Sequence, residues 1–196
     1  MQTIGFGDEQ ANFRVYLAAP PKMDAYQQLD GIQPLRQGDI DQIYRHCGNG
    51  WRKIFNVYAK LLLAWSPTNF CYPQAAASWQ LFRDQHLLQP HSNSALLFSA
   101  PIFQQGAPTI HLIAGRTLAK QLLAQGLPAE LYWLSVEFAV DPSRQLLVTP
   151  FFDYRQLNNE KIALTAALLQ MLARQEMDLK LYADKVQQSN ALPHLI

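Results

Sequence analysis

The segment from Thr109 to Met171 decides the fold. It begins TIHLIAGRTLAKQLLAQG (109–126), passes through a further apolar stretch, and continues as QLLVTPFFDYRQLNN (145–159) into a long helix. Each quoted part has the pattern of an apolar strand that ends at a polar loop and leads into a helix. Proteins of the α/β class are built from such units, and their ligands bind outside the carboxyl ends of the strands. The segment therefore predicts both a fold class and the place of a site.

The same reasoning extends to the rest of the chain. Apolar alternation or short apolar runs predict strands at 13–18, 95–99, 109–114, 131–140 (one bent strand or two) and 145–149. Helical spacing predicts helices at 39–47 and 51–65, one starting at Pro73, one after Gly115-Arg116-Thr117, and a last one capped by Asn158 or Asn159 and breaking near Gln175.

Strands and helices alternate after residue 90, which indicates the α/β class. We expect one three-layer α/β/α domain over 13–188 with a mostly parallel central sheet. Residues 1–12 are expected to be a flexible leader and 189–196 a tail, because neither segment carries a regular apolar pattern. No repeat or change in composition marks a second domain.

The amino-acid composition argues against some classes of function and leaves others open. Charged residues make up 16% of the chain, against ~25% in an average protein, and the net charge is +1. The first hundred residues carry eight Lys or Arg and seven Asp or Glu, and the rest carry eight of each, so neither half is basic. This balance argues against a protein that holds duplex DNA by neutralising phosphates, and it leaves a local nucleic-acid contact open. The low charge fits a homodimer interface as well as a neutral surface rich in Gln, Asn and Ser.

Targeting signals and catalytic motifs are both missing from the sequence. The first residues lack a basic start and an apolar segment, and no apolar run is long enough to span a bilayer, so we expect a cytoplasmic protein without a membrane partner. There is no P-loop, dinucleotide-binding glycine motif, serine elbow or H-E-x-x-H. The five histidines do not pair at metal-ligand spacing, so neither a metal nor a cofactor is predicted.

The strongest candidate site is the cluster Asp153, Tyr154, Arg155 and Asn159, after the last strand and before a helix. Free N–H groups at a helix start attract anions, and an arginine can clamp a phosphate or carboxylate with two hydrogen bonds. Tyr154 offers a ring for stacking. The structural alternative is that Asp153 accepts an N–H within its own turn, that Arg155 pairs with Asp153 or Glu160, and that Asn158 caps the helix.

Arg116 is the second candidate, because it follows Gly115 at the end of another strand and begins a helix. If the two strands are neighbours, Arg116 and the Asp153 cluster face one crevice. Alternatively, Arg116 is a solvated side chain.

Three further groups are weaker. Asn49, Gly50, Arg52 and Lys53 form one group, in which Gly48, Gly50 and a basic helix start could hold a phosphate. Such glycines more often cap one helix and start the next. His111 lies in an apolar strand, so we expect a core or interface histidine. His46 and Cys47 are discounted as a nucleophile pair, because neighbours in a helix do not face each other.

Three motifs together resemble the uracil-DNA glycosylase superfamily. They are VYLAAPP (15–21) at a first strand and proline loop, IHLIAGRTLA (110–119) at a strand, glycine and helix, and LVTPFF (147–152) at a last strand and loop. The resemblance implies that family's α/β fold and a last loop that enters DNA. Outside these motifs the chain resembles small bacterial α/β domains of unassigned role.

Two departures from that family bear on activity. The family's water-activating Asp or Asn has no counterpart at 18–21, which leaves Asp24 and Asp153 as weak catalytic candidates. The histidine of the family's last loop is replaced by Thr149 or Phe151. We therefore carry three hypotheses: a domain that binds a nucleotide-like or other anionic ligand, a base-excising glycosylase-type hydrolase, and a homodimeric scaffold or interaction module.

Overall fold

The computed structural model describes residues 2–65, 78–103 and 109–177 of the chain. The helices and strands in chain order are β1 (Gly5–Gly7), β2 (Phe13–Tyr16), α1 (Asp24–Gln27), β3 (Ile32–Gln33), α2 (Asp39–Cys47), α3 (Asn49–Ala64), α4 (Trp79–Gln85), β4 (Ser94–Leu97), β5 (Ile110–Ala114), α5 (Arg116–Ala124), β6 (Tyr132–Trp133), β7 (Ala139–Asp141), β8 (Leu146–Thr149) and α6 (Asn159–Ala173). The helix start predicted at Pro73 and the tail predicted at 189–196 lie outside the described residues.

The strands form one eight-stranded sheet in the order β3-β1-β4-β2-β5-β8-β7-β6. The α/β class is confirmed. The four central strands, β4, β2, β5 and β8, are parallel to one another. At the flanks, β1 is antiparallel to β4, and β7 is antiparallel to both β8 and β6. The sheet is therefore mixed rather than mostly parallel throughout.

Short connections explain the antiparallel flank. Between β7 and β8 lies only a 3-10 turn, Pro142–Arg144, in which Asp141 Oδ1 accepts the Arg144 N–H. Parallel neighbours need a crossover of a dozen or more residues, so this turn allows only an antiparallel pair. The region 131–140 is accordingly two short strands, β6 and β7.

Residues 1–12, expected to be a flexible leader, instead contain the sheet strand β1. Phe6 is fully buried, and Gly5 and Gly7 pair with Leu97 and Ala95 of β4. A Cβ on Gly7 would lie 2.2 Å from the Ser94 carbonyl oxygen, so glycine permits this close approach. Three residues without apolar alternation gave no strand signal in the sequence.

Both faces of the sheet are buried, because side chains of a strand alternate between faces. Val15 packs into the larger core with residues of α3 and α6, whereas Tyr16 packs into the smaller core with residues of α5. The Tyr58 hydroxyl of α3 donates to the Ala95 carbonyl oxygen at 2.9 Å, which ties that helix to β4. As expected, Asn158 caps α6, and its Oδ1 accepts the Lys161 N–H at 2.9 Å.

Candidate functional site

The carboxyl ends of β2, β5 and β8 meet at one edge of the sheet, because these three strands are parallel neighbours. The loops that follow them carry Ala18, Gly115 and Phe151 respectively. Chain reversals at such an edge leave crevices between loops, where side chains from distant parts of the sequence come together. The described residues line three clefts there.

The first, which we call the Arg116 cleft, has a volume of about 510 Å³. Its lining includes Ala18, Gly115, Arg116, Thr117, Glu137 and Phe151. The ends of three parallel strands and the turn between β6 and β7 thus contribute to one concave surface.

Arg116 is held by two contacts on the β6–β7 side of this cleft. Its Nη1 donates to the Val136 carbonyl oxygen at 3.0 Å, and its guanidinium lies 5.3 Å from the centroid of the Trp133 ring. Among the described residues no carboxylate is within ion-pair distance of Arg116. The nearest candidate in the lining, Glu137, pairs with Lys161 instead, with 2.5 Å between Oε2 and Nζ. Arg116 therefore leaves positive charge and free N–H donors in the cleft.

The first turn of α5 adds further donors beside Arg116. The helix begins directly after Gly115, which has φ of +115° and no side chain to cap the first N–H groups. A Cβ at Gly115 would meet only ordinary contacts with Phe151, the nearest at 3.8 Å, so the backbone conformation rather than space favours glycine. Uncapped N–H groups at a helix start carry partial positive charge.

The second, the Trp51 cleft, has a volume of about 550 Å³ and adjoins the first. Its lining includes Ala18, Lys22, His46, Cys47, Trp51 and Phe151. The Phe151 side chain is 36% exposed and belongs to both clefts. The third, the glutamine cleft, measures about 380 Å³ and is lined by Tyr16, Gln121 and Gln125 among others. Ala18 lines all three clefts.

Asp153 does not line any of the three clefts. Its Oδ2 lies 2.8 Å from Lys53 Nζ on α3, and its Oδ1 accepts the Arg155 N–H at 3.0 Å. These hydrogen bonds, that of Lys53 foremost, hold the pKa of the Asp153 carboxyl below its usual range. The carboxylate is thus ionised and bonded within its turn, and its charge partner is Lys53 rather than Arg155.

The remaining members of the predicted cluster spread along the loop after β8. Tyr154 is 53% exposed, and Lys53 Nζ lies 4.9 Å from the centroid of its ring. Arg155 is exposed, and Asn159 Oδ1 accepts from Lys60 Nζ at 3.4 Å. Of the predicted ligand-binding residues, only Arg116 lines one of these three clefts. Asp24, the other catalytic candidate, is exposed in α1 and lines none of the three.

His111 is a core histidine, as its place in an apolar strand predicted. It is 3% exposed, and its Nδ1 forms a hydrogen bond of 2.7 Å with the Tyr16 hydroxyl. Burial, aided by Arg14, lowers the pKa of His111 to about 4. Burial also raises the pKa of Tyr16, so both side chains are neutral at pH 7.

Sequence reasoning missed several residues that shape the site. Trp133, Val136 and Glu137 flank Arg116 from a turn whose position in the sheet no local pattern reveals. Lys53 was noted only for a phosphate or cap role. Within the described ranges, no three His, Cys, Asp or Glu side chains converge as metal ligands would. In the same ranges, no helix combines the length and the apolar character that crossing a bilayer requires.

Comparison with known proteins gives one match. A family model described as a family of unknown function (DUF6942) matches residues 4–170, which is most of the chain. No curated protein and no solved structure matches. The chain therefore belongs to the DUF6942 family.

Proposed function

We propose that this member of the DUF6942 family binds a small anionic, nucleotide-like ligand in the Arg116 cleft. One observation carries the proposal: Arg116 lies in a concave site at the carboxyl edge of the sheet without a carboxylate partner among the described residues. Arg116 is exposed, so water solvates its charge until a ligand binds, and its planar fork matches phosphate and carboxylate oxygens.

The surroundings of Arg116 favour an anion with several oxygens. The uncapped N–H groups in the first turn of α5 lie beside it and favour negative charge. Thr117, also in the lining, adds a hydroxyl donor. Glu137, neutralised by Lys161, does not offset the attraction. A phosphate or a comparable oxyanion fits this set of donors.

Phe151 supports the nucleotide-like part of the proposal. Its half-exposed ring borders the same cleft next to Gly115, where a planar ring attached to the anion has an apolar surface to stack on. In this arrangement the molecule is a three-layer α/β/α domain whose parallel part is the four central strands, and the ligand binds at their carboxyl ends.

The residues of the predicted cluster after β8 support the loop beside the Arg116 cleft and border the site. The Lys53–Asp153 ion pair braces the loop that carries Phe151 against α3. Tyr154 and Arg155, both exposed on that loop, form an outer rim that meets the ligand more weakly than Arg116 does. Asn159 remains with the helix start of α6.

Thermal melting with a panel of inorganic phosphate, ribose 5-phosphate and nucleoside monophosphates tests the proposal. A ligand at a hundred times its dissociation constant adds ~2.7 kcal/mol of stability, which corresponds to roughly 5–10 °C for a domain of this size. Arg116→Met should remove most of that shift, and Arg155→Met should reduce it less. Arg36→Met, an exposed arginine outside the clefts, is the matched control and should bind normally. Equal shifts in Arg116→Met and wild type would refute the assignment.

A base-excising hydrolase is the second candidate, and one observation favours it. The three motifs that resemble the glycosylase superfamily lie on β2, β5 and β8, and the loops after them share one sheet edge. Such an enzyme flips a base out of the stack into a pocket, with Phe151 as a stacking surface. The carboxylates weigh against it, because Asp153 is engaged by Lys53 and Asp24 lines no cleft.

Release of free base from oligonucleotides that contain damaged bases tests this candidate. If the enzyme hypothesis holds, the wild type releases base, and Asp153→Asn or Asp24→Asn abolishes release according to which carboxylate orients the water. Absence of release from every lesion rejects it, and the binding proposal stands independently.

A further inference from the structure

We infer that the Trp51 cleft is the ring subsite of the same ligand, so that the protein takes nucleoside monophosphates rather than sugar phosphates. This inference rests on the proposed function, since it places the phosphate at Arg116. It adds a second site that accepts the planar, uncharged end of the molecule.

The two clefts share two of their lining residues. Phe151 and Ala18 each line both. Ala18, two residues after the end of β2, has only a methyl group and so takes up little space at the border that the clefts share. A ligand anchored by its phosphate at Arg116 can therefore extend past Ala18 into the Trp51 cleft.

The Trp51 cleft is shaped for a ring rather than a second anion. Leu17, Ile54 and Trp51 give it an apolar lining, to which the Phe151 ring, shared with the first cleft, adds. The Trp51 ring packs against two other rings. Its centroid lies 5.6 Å from that of Phe55, and it meets Phe98 edge-on at 6.2 Å. A ring that is already immobilised loses little entropy when a second ring stacks on it.

The polar groups in this cleft complement the edge of a nucleobase. His46 Nδ1 lies 2.8 Å from the Gln42 carbonyl oxygen, which can only accept, so Nδ1 carries the proton. In this tautomer Nε2 is the ring nitrogen that can accept a hydrogen bond. Lys22 supplies a donor to the same cleft. The acceptor can bond to an amino group of a base. The donor can bond to a carbonyl oxygen or a ring nitrogen of the same base.

The alternative occupant is a second phosphate. Gly50, near the start of α3, also lines the cleft, and Lys22 is a cation. The apolar lining and the fixed tryptophan favour the ring, because a phosphate gains nothing from them. A sugar bisphosphate therefore serves as the competing probe.

Isothermal titration of the full chain with AMP, UMP, ribose 5-phosphate, adenosine and ribulose 1,5-bisphosphate tests the inference. Stacking of one base on an aromatic side chain implies that at least one nucleoside monophosphate binds about tenfold more tightly than ribose 5-phosphate. Trp51→Leu should remove that preference and leave the affinity for ribose 5-phosphate nearly unchanged. Arg116→Met should weaken AMP and ribose 5-phosphate alike and spare adenosine.

Two controls keep the result interpretable if Trp51→Leu loosens the core. Lys22→Met changes an exposed side chain, so it leaves folding intact and should still lower affinity for the preferred monophosphate by about fivefold, the worth of one hydrogen bond. Trp79→Leu removes a tryptophan outside the clefts and should leave both affinities unaltered.

The outcomes separate the two proposals. If ribose 5-phosphate binds as tightly as both monophosphates, or ribulose 1,5-bisphosphate binds more tightly than either, the ring subsite is wrong and the anion site at Arg116 stands. If no phosphate compound binds, the proposed function fails and the ring subsite fails with it.

Discussion

Arg116 and Asp153 show that a charged side chain is available to a ligand only if the fold gives it no charge partner. Its place in the sequence does not reveal this. Both follow a parallel strand and precede a helix, and the sequence pattern treats them alike. In the structure, Asp153 is engaged by Lys53, a hundred residues away along the chain, and Arg116 has no such partner among the described residues. Tertiary pairing of this kind has no local signal. The sequence therefore predicted the edge at which the site lies and could not tell which charge is left free there.

The buried His111 should make the protein lose stability on mild acidification. Its pKa is lowered from 6.5 to about 4 in the folded state, so between these values the unfolded chain binds a proton that the folded chain does not. The contribution is fully present above pH 6.5 and is lost as the pH falls toward 4, amounting to roughly 3 kcal/mol. Urea unfolding at pH 7 and at pH 4.5 measures it.

The matched variant for this prediction is His111→Gln, which cannot titrate. It should be less stable than wild type at pH 7, because the hydrogen bond with Tyr16 is altered, and it should lose less stability between pH 7 and 4.5. An identical acid loss in both proteins would mean that His111 is not the group that titrates.

The Lys53–Asp153 ion pair should contribute a modest coupling energy. Both side chains are about one-fifth exposed, so about 1 kcal/mol or less is expected from a double-mutant cycle of Lys53→Met and Asp153→Asn. Because the pKa of Asp153 is lowered, the contribution is present at neutral pH and disappears in acid as the carboxyl becomes protonated. Zero coupling at pH 7 in urea unfolding would contradict the bracing role.

Among the helices and strands, those with a long apolar pattern were predicted correctly, and those with a short one were not. The strands at β2, β4, β5 and β8 were found because each is a buried run within a longer apolar stretch, and α2, α3 and α5 were found from helical spacing. The flanking strands β1 and β3 have only two or three residues, too few for an alternating apolar pattern to be recognised. They are held by pairing with longer neighbours, which is tertiary information.

Gly7 offers a direct test of β1. An alanine there would place its Cβ 2.2 Å from the Ser94 carbonyl oxygen and would also have to adopt φ of +114°. We expect Gly7→Ala to cost about 3 kcal/mol or more, from backbone strain together with the clash against β4. Urea unfolding measures the loss.

Gly31→Ala is the matched control for this clash. Its φ of +101° is similarly unfavourable, but nothing lies within 4 Å of the added Cβ, so only about 1 kcal/mol of strain is expected. Equal losses for the two variants would show that the close approach of β1 to β4 does not matter for stability.

For the whole molecule, the decisive feature is the parallel centre of the sheet, which brings loops from distant parts of the chain to one edge. Three parallel strands, joined through long crossovers, bring Ala18, Gly115 and Phe151 to one edge although they are far apart in the chain. The composition does not indicate this site, because one unpaired arginine does not change the overall balance of acidic and basic residues. The homodimer remains a prediction, and light scattering over a wide concentration range would test it.

The most direct measurement is a titration of ¹⁵N-labelled protein with a nucleoside monophosphate, followed by amide chemical shifts. The largest changes should fall on the first turn of α5, at Arg116 and Thr117, and on Phe151, and they should vanish in Arg116→Met. Changes confined to residues away from this sheet edge, or equal changes in the Arg116→Met protein, would contradict a ligand site at the carboxyl ends of β5 and β8.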